Sequence, residues 1–214
     1  TGNFTTSTLA TGTGPLCLAI ADLDTSDGLN QVDLAIGCES STPVGVQIYT
    51  NSTTLASRGT VFNLTSTWAS PVPTSIDPTD VNDTKDLDLI ILSNDGNSVT
   101  VKRGDGAGNT IDFMAFPFGL PGGSSPVGAS IALLNEDINE DYITVNNSGN
   151  SLSILTGNGS NLTNPSPVSI GNEPLSIAAT DFDNDGDDDL VVSELDSSGV
   201  RQLAIVRNDS SGSI

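Results

Sequence analysis

Four times along the chain, an apolar segment, usually led by a proline, runs into a short acidic loop. Pro15-Leu-Cys17-Leu18 leads to Asp22, Pro73-Thr-Ser75-Ile76 to Asp80, and Pro174-Leu-Ser176-Ile177 to Asp181. The third copy reads Ser130-Ile131 leading to Asn135, with Pro126 displaced by two residues. Counted from Cys17, the copies are spaced by 58, 55 and 46 residues. Such spacing implies several copies of one small unit stacked to share a core, because a single copy cannot bury its own apolar face. After each acidic loop comes a second apolar run: Asp33-Leu-Ala-Ile, Asp88-Leu-Ile-Ile, Asp141-Tyr-Ile-Thr and Asp189-Leu-Val-Val. A third run ends in a polar turn, in QIYTNSTT, TVKRGDGAG, SILTGNGSN and AIVRNDSSG. A fourth, less regular run precedes the next repeat in GTVFNLT, TIDFMAF and PSPVSIG. The runs are short, rich in β-branched residues and bounded by turn formers, so they read as strands.

Four strands in each of four units, at 214/4 or about 53 residues per unit, predict an all-β, four-bladed β-propeller of four-stranded antiparallel blades. It would be a single domain. Blade 1 spans about 15–66, blade 2 about 73–120, blade 3 about 126–171, and blade 4 about 174–214 plus strand 1–11. The fourth unit stops after its third strand, and the missing strand is found in Thr1–Ala10. That N-terminal strand is expected to complete the last blade, either in cis or by donation to a neighbouring molecule. An unpaired third strand would leave an exposed sheet edge.

The acidic loops carry the chemistry. Of 27 acidic residues 22 are Asp, and 17 of those fall in the windows 22–33, 77–88, 135–141 and 181–189. A merely soluble acidic surface explains the net charge of −21 but not this clustering. The fourth loop is Asp181-Phe-Asp183-Asn-Asp185-Gly186-Asp-Asp-Asp189. Oxygen side chains at positions 1, 3, 5 and 9, with Gly at 6 for a sharp turn, can wrap one hard cation. Ca2+ fits best because it accepts six to eight oxygens in flexible geometry. The first loop offers Asp22, Asp24, Asp27 and Asp33 with inserted residues. The second offers Asp80, Asn82 and Asp88, with Thr84 and Lys85 at positions 5 and 6. The third offers Asn135, Asp137, Asn139 and Asp141, and reads as two residues shorter and without Gly. Two to four structural Ca2+ ions are expected, each cancelling two charges.

At these residues the sequence resembles the FG-GAP/VCBS repeat family, calcium-loop β-propellers related to the integrin α-subunit head. DFDNDGDDDLVV carries the resemblance most strongly, then ADLDTSDG…VDLAIG, with the turns RGDGAGN and TGNGSN in keeping. It covers essentially the whole chain, with the middle two units divergent. The resemblance implies an extracellular protein with structural calcium. Relatives include binders of protein ligands or glycans and modules appended to enzymes, often with seven blades.

Function classes can be narrowed. The chain has no His, which excludes His-based triads and imidazole switches. A charge of −21 excludes nucleic acid as a partner. No apolar run approaches a membrane span of about 20 residues. Nothing resembles a nucleophile–base pair, so no enzyme is expected. If the first two strands pair across the 22–32 loop, Cys17 and Cys38 face each other, which predicts a disulfide and an oxidising compartment. Sequons at Asn3, Asn51, Asn63, Asn82, Asn146, Asn158, Asn161 and Asn208 suggest a glycosylated rim. Arg103-Gly104-Asp105 reads as a hairpin turn, and the Phe-rich run 113–120 as packing. The chain begins at Thr1 without a leader, and is expected to be a processed, secreted form. The expectation is a non-catalytic, calcium-stabilised extracellular or cell-surface protein, self-assembling as a homopolymer in a filament or layer. The alternative is a monomeric adhesion or glycan-binding module with a glycan or cell-surface protein as ligand; aromatics that could stack a sugar, Trp68, Tyr49 and Tyr142, are few and scattered, and Trp68 itself reads as packing.

Overall fold

The computed structural model describes residues 8–11, 13–23, 25, 32–39, 45–51, 55–63, 73–95, 97–106, 110–111, 118–120, 125–135, 137–163 and 165–208. They form four antiparallel sheets. The first contains β1 (Pro15–Ala21), β2 (Asp33–Cys38), β3 (Gly45–Asn51) and β4 (Leu55–Asn63), in that spatial order. The second contains β5 (Pro73–Thr79), β6 (Asp88–Ser93), β7 (Ser98–Gly104) and β8 (Thr110–Ile111), and β9 (Phe118–Gly119) also pairs with β7. The third contains β10 (Pro126–Ala132), β11 (Asp141–Asn146), β12 (Ser151–Leu155) and β13 (Ser166–Ser169). The fourth contains β14 (Asn172–Thr180), β15 (Asp189–Leu195) and β16 (Arg201–Val206). The all-β, four-unit reading therefore stands, although the fourth sheet has three strands and the second has an additional short one. No helix among the described residues is long and apolar enough to cross a membrane.

Registers define the repeat and correct its alignment. Ala21 faces Asp33, Thr79 faces Asp88, Ala132 faces Asp141 and Thr180 faces Asp189. Counting back six residues from each first-strand end reaches Pro15, Pro73, Pro126 and Pro174. Pro126 is thus in register, Gly128 rather than Ser130 matches Cys17, and the spacings are 58, 53 and 48. The third loop has the full nine-residue length, with Leu133 where the other loops carry Asp. Matching the sequence on the acid had slid the unit by two residues.

Alternation along each first strand sends one face to the preceding sheet and the other to the next. Cys17, Ala19 and Ala21 meet Ile76, Leu89 and Ile91 in the core between the first two sheets. Ile90, Leu92 and Val99 meet Ala129, Ile131 and Tyr142 in the second interface. Ala132, Ile143 and Val145 meet Ile177, Leu190 and Val192 in the third. Burying one such Ile or Leu contributes about 1.5–3 kcal/mol, so these seams hold the array together. Polar ties cross them. Tyr142 is fully buried and its hydroxyl donates to Asp77 Oδ2 at 2.8 Å, while burial raises its pKa well above the usual phenol value. Asn94 and Asn147, equivalent residues after each second strand, donate to the carbonyls of Pro126 and Pro174 at 2.8 and 3.0 Å, each reaching into the next sheet.

Leu9 packs against Ile36, Cys38 and Tyr49, on the face of the first sheet that turns away from the second, and the Tyr49 hydroxyl donates to the Ala10 carbonyl at 2.8 Å. Thr1–Ser7, most of the strand expected to complete the last blade, lie outside the described residues. Nothing comparable to the three seams joins the first and fourth sheets among the described residues. One expectation meets a different arrangement. Cys17 and Cys38 are free thiols. A register shift between Pro15 and Cys17 sets Cys17 opposite Gly37 instead of Cys38. Cys17 then points toward the second sheet, with its Sγ 3.6 Å from the Pro73 carbonyl, while Cys38 packs on the opposite face with Ile36 and Tyr49. One bulge residue turns two facing cysteines to opposite sides.

Candidate metal centre

The fourth loop converges three carboxylates. Asp181, Asp183 and Asp185 each place an oxygen within 4.8 Å of the others, on a turn open to solvent. The turn is shaped by Asp181, whose Oδ1 accepts the N–H of Asp185 and Oδ2 that of Gly186, both at 3.2 Å. Gly186 has φ of 108° and Asn184 has φ of 62°, left-handed values suited to Gly and tolerated by Asn. Asp183 has its pKa raised by desolvation and then by the charges of Asp185 and Asp189. Arg207 offsets part of this, with Nη1 3.3 Å from Asp183 Oδ2. Arg207 has no place in the ligand pattern, but it is the repeat counterpart of Arg103 at the end of a third strand. An all-oxygen, exposed, like-charged set of this kind fits a hard divalent cation.

Position 9 serves a different purpose from positions 1, 3 and 5. Asp189 is completely buried, and its Oδ2 accepts the Phe182 N–H at 3.2 Å while Oδ1 accepts the Asn208 N–H at 2.8 Å. Asp141 repeats this with the N–H groups of Leu134 at 3.0 Å and Gly157 at 2.8 Å. Asp88 does the same with Val81 at 3.0 Å and Gly104 at 2.9 Å. In the first loop, Asp33 Oδ2 accepts the Leu23 N–H at 2.9 Å. These aspartates staple the loop to the end of the third strand. Sequence spacing grouped them with the ligands, but the structure places Asp189 outside the converging set. Burial pushes the Asp88 carboxyl up to about 6 and raises that of Asp141, against the lowering effect of the donated hydrogen bonds.

The other loops vary around this frame. In the second, Asp80 accepts the N–H groups of Thr84 and Lys85 at 3.1 and 2.7 Å, matching Asp181. Asp83 and Lys85 take φ of 55° and 73°, so Lys85 stands in the left-handed conformation that Gly186 occupies in the fourth loop. Asn82 at position 3 donates from Nδ2 to Asp88 Oδ1 and Oδ2 at 3.3 and 3.1 Å, while its Oδ1 is buried and accepts no hydrogen bond. That orphaned oxygen fits a cation ligand. In the third loop Asp137 N–H donates to Asn135 at 2.9 Å and Asn139 N–H to Asp137 at 2.8 Å, with Leu133 at position 1. The loop is tied to its neighbour, since Asp188 Oδ2 accepts the Leu133 N–H at 2.9 Å. In the first loop Asp22 and Asp33 are described, and Asp24 and Asp27 lie outside the described residues.

Between the second and third loops lies an open cleft of about 590 Å³, lined in part by Asp80, Asp83, Asn139 and Glu140. Burial, then the Asp80 charge, raises the Glu140 pKa. No nucleophile–base pair lines it among the described residues. The sequons divide sharply. Asn146 is fully buried and donates to Ser151 and Ser153, and Asn208 is 2% exposed and donates to the Leu134 carbonyl at 2.8 Å. Both amides belong to the interior, so these two are not glycan carriers in the fold. Asn82 is committed to Asp88 as above. Asn158 is exposed and uses only Oδ1, accepting from Ser160 and Asn161; Asn161 is half-buried. Asn3 and the side chains of Asn51 and Asn63 lie outside the described residues, as do Trp68, Phe113 and Phe116. In the Arg103-Gly104-Asp105 turn, the Arg103 guanidinium donates to the Ser160 carbonyl of the next sheet.

Residues 134–192 match the FG-GAP-like repeat family. The match runs from the third loop through the fourth into β15. Among solved structures, the chain is similar to a selenomethionine-substituted virginiamycin B lyase from Staphylococcus aureus, with a TM-score of 0.53 and 12% identity. That likeness covers 94% of this chain and 58% of that one. It is also similar to BBS1N in complex with ARL6DN, with a TM-score of 0.56, 14% identity, and 94% and 53% coverage. The chain thus spans little more than half the length of either, and the likeness is one of propeller-like fold. No curated protein matches the chain in sequence.

Proposed function

We propose that this chain, which carries an FG-GAP-like repeat at residues 134–192, is a non-catalytic extracellular structural protein, stabilised by calcium and assembled from copies of itself. Its four sheets act as propeller blades. The observation that carries the reading is the convergence of Asp181, Asp183 and Asp185 on an exposed turn. Three carboxylates so close repel one another, and a bound Ca2+ converts that repulsion into attraction. Asp181, Asp183 and Asp185 would hold one ion, and Asp80 with Asn82 part of a second. Its chemistry would be charge neutralisation and loop ordering. The loop-end aspartates Asp88, Asp141 and Asp189 are occupied in backbone staples, which supports a structural rather than an acid–base role. The exposed Asn158 sequon supports an outer surface open to glycosylation. The free cysteines remove the disulfide from the argument for an oxidising compartment.

The test is thermal unfolding in millimolar calcium and in chelator, with ion stoichiometry by titration calorimetry. A melting temperature well above the chelated value, with the loss reproduced by Asp183→Asn, supports the reading. Identical melts in both conditions would remove calcium from it.

A further inference from the structure

We propose that the cleft between the second and third loops is a binding site for an ammonium group on an apolar methylene stem, the chemistry shared by a lysine side chain and a free linear diamine. The inference is separate from the calcium and self-assembly readings.

Adjacent loops on either side of this cleft are tied to each other. Thr25 of the first loop donates from its hydroxyl to Asp86 Oδ1 of the second at 3.0 Å. The third and fourth loops share two bonds: the Leu133 N–H donates to Asp188 Oδ2 at 2.9 Å, and the Asp188 N–H to the Leu133 carbonyl at 3.1 Å. Among the described residues no hydrogen bond joins the second loop to the third, and the open cleft of about 590 Å³ lies there instead. That volume is in the range of small-molecule sites.

The lining is amphipathic. Asp80, Asp83 and Glu140 bring three carboxylates, and no basic side chain lines the cleft beside them. The two loops feel each other across it, since the Asp80 charge adds to burial in raising the Glu140 pKa. Leu87, Ile131 and Ile138 bring apolar surface. Ile138 is 89% exposed, at the loop position held by Lys85 in the second loop and Gly186 in the fourth. A turn gains nothing from a large apolar side chain left in water there, whereas a methylene stem laid against it removes that surface from solvent.

An orphaned hydroxyl is the independent sign of a ligand. Thr79 lines the cleft and is 4% exposed, and its Oγ1 makes no hydrogen bond. Asp77, two residues earlier, receives the Tyr142 hydroxyl from the third sheet, so strand alternation turns Thr79 to that same side. A buried hydroxyl without a partner is destabilising, and an N–H donor seated in the cleft supplies the partner. A bare divalent ion would use the carboxylates but leave the apolar wall wet. Three carboxylates repel an anion. An ammonium on a methylene stem meets the charge, the apolar wall and the free acceptor together.

The experiment is an NMR titration of the isotope-labelled full chain, in chelator and about 0.15 M salt. The probes are diaminopentane and, separately, N-acetyl-lysine amide, with pentanol as the uncharged control. Saturable shifts at the amides of Thr79, Ile138 and Glu140 are expected with an amine and not with pentanol. Glu140→Gln and Asp83→Asn should each raise the Kd by about two- to fivefold, the range of exposed ion pairs. Thr79→Val should also weaken binding, yet leave the urea midpoint unchanged or higher, because it removes an unpaired hydroxyl. Saturation by the diamine alone supports the proposal with a free amine as ligand; saturation by the lysine amide supports it with a side chain as ligand. Shifts that spread over the acidic surface without saturating overturn it, and so does equal binding by all three variants. Calcium binding that is lost in Glu140→Gln, while neither amine binds, makes the cleft a metal site and also overturns it.

Discussion

Replacing Asp189 by Asn separates the two roles that the acidic loop combines. The carboxylate is completely buried and accepts two backbone N–H groups, from Phe182 at 3.2 Å and Asn208 at 2.8 Å. Asn has one carbonyl oxygen, so it can satisfy only one of them, and its NH2 group must face the other donor. A buried donor left unpaired costs about 1–3 kcal/mol, and the retained bond loses its charge assistance, so the total is about 2–4 kcal/mol. For a domain of this size that is a fall of roughly 5–15 °C in melting temperature. Asp185→Asn, on the exposed turn, keeps an acceptor and should cost less than about 0.5 kcal/mol without metal. Urea unfolding followed by circular dichroism, in chelator and in calcium, reads both variants. Asp189→Asn should show its full deficit in chelator, whereas the deficit of Asp185→Asn should appear only in calcium. An Asp189→Asn variant that matches the wild type in chelator and falls behind only in calcium would refute the staple and return Asp189 to the ligand set.

Three further outcomes follow from local geometry. Lys85→Gly relieves a left-handed residue with φ of 73° and should raise stability by up to about 1 kcal/mol, after allowing for the extra unfolded-state entropy of Gly, as a shift in urea midpoint. Burial pushes the Cys17 thiol from 9.0 up to about 11. Its pKa is raised in the fold, so the contribution is complete below pH 9 and is lost as pH rises toward 11; stability should fall over that window, and Cys17→Ala should flatten the fall. Expressed in a glycosylating host, the protein should carry glycan at Asn158 and none at Asn146 or Asn208, which peptide mapping by mass spectrometry will read directly.

Much of the architecture was legible because it rests on periodicity. Short β-branched runs between turn residues marked the strands, and a fourfold repeat implied four sheets. What escaped the sequence depended on single residues. Leu133 in place of an acid moved the third unit out of alignment, since the eye matches Asp to Asp and misses a loop of the right length with an apolar first position. The bulge before Cys17 reversed the direction of one side chain, and spacing arithmetic has no means to detect a bulge. Asn146 and Asn208 satisfy the glycosylation pattern, yet their amides complete interior hydrogen bonds. A three-residue motif carries no information on burial. The Asp-rich loop was readable as an oxygen-donor cluster, but its division into solvent-facing and backbone-bound carboxylates appears only once strand ends are placed beside it.

That division explains how the four loops can differ so widely while the sheets around them stay alike. The last residue of each loop is Asp, as Asp33 in the longer first loop and as Asp88, Asp141 and Asp189 at position 9 of the others, and in these three both oxygens meet backbone donors. Position 1 is lost to Leu133 in the third loop, and position 6 is Lys85 in the second. The staple belongs to the fold itself, because removing it strands buried N–H groups whatever ion is present. Positions 1, 3 and 5 of the fourth loop bind within their own turn, to Arg207 and, on the proposed reading, to the ion, so their loss is local and leaves the sheet intact. A unit can therefore give up its cation and keep its place in the array. The Leu133 N–H already makes such a substitution, since it draws its anionic partner, Asp188, from the neighbouring loop at 2.9 Å. On the proposed reading, calcium stabilises the fourth loop most and the third least. Chelation should then loosen the array from its fourth sheet, whose loop converges three carboxylates.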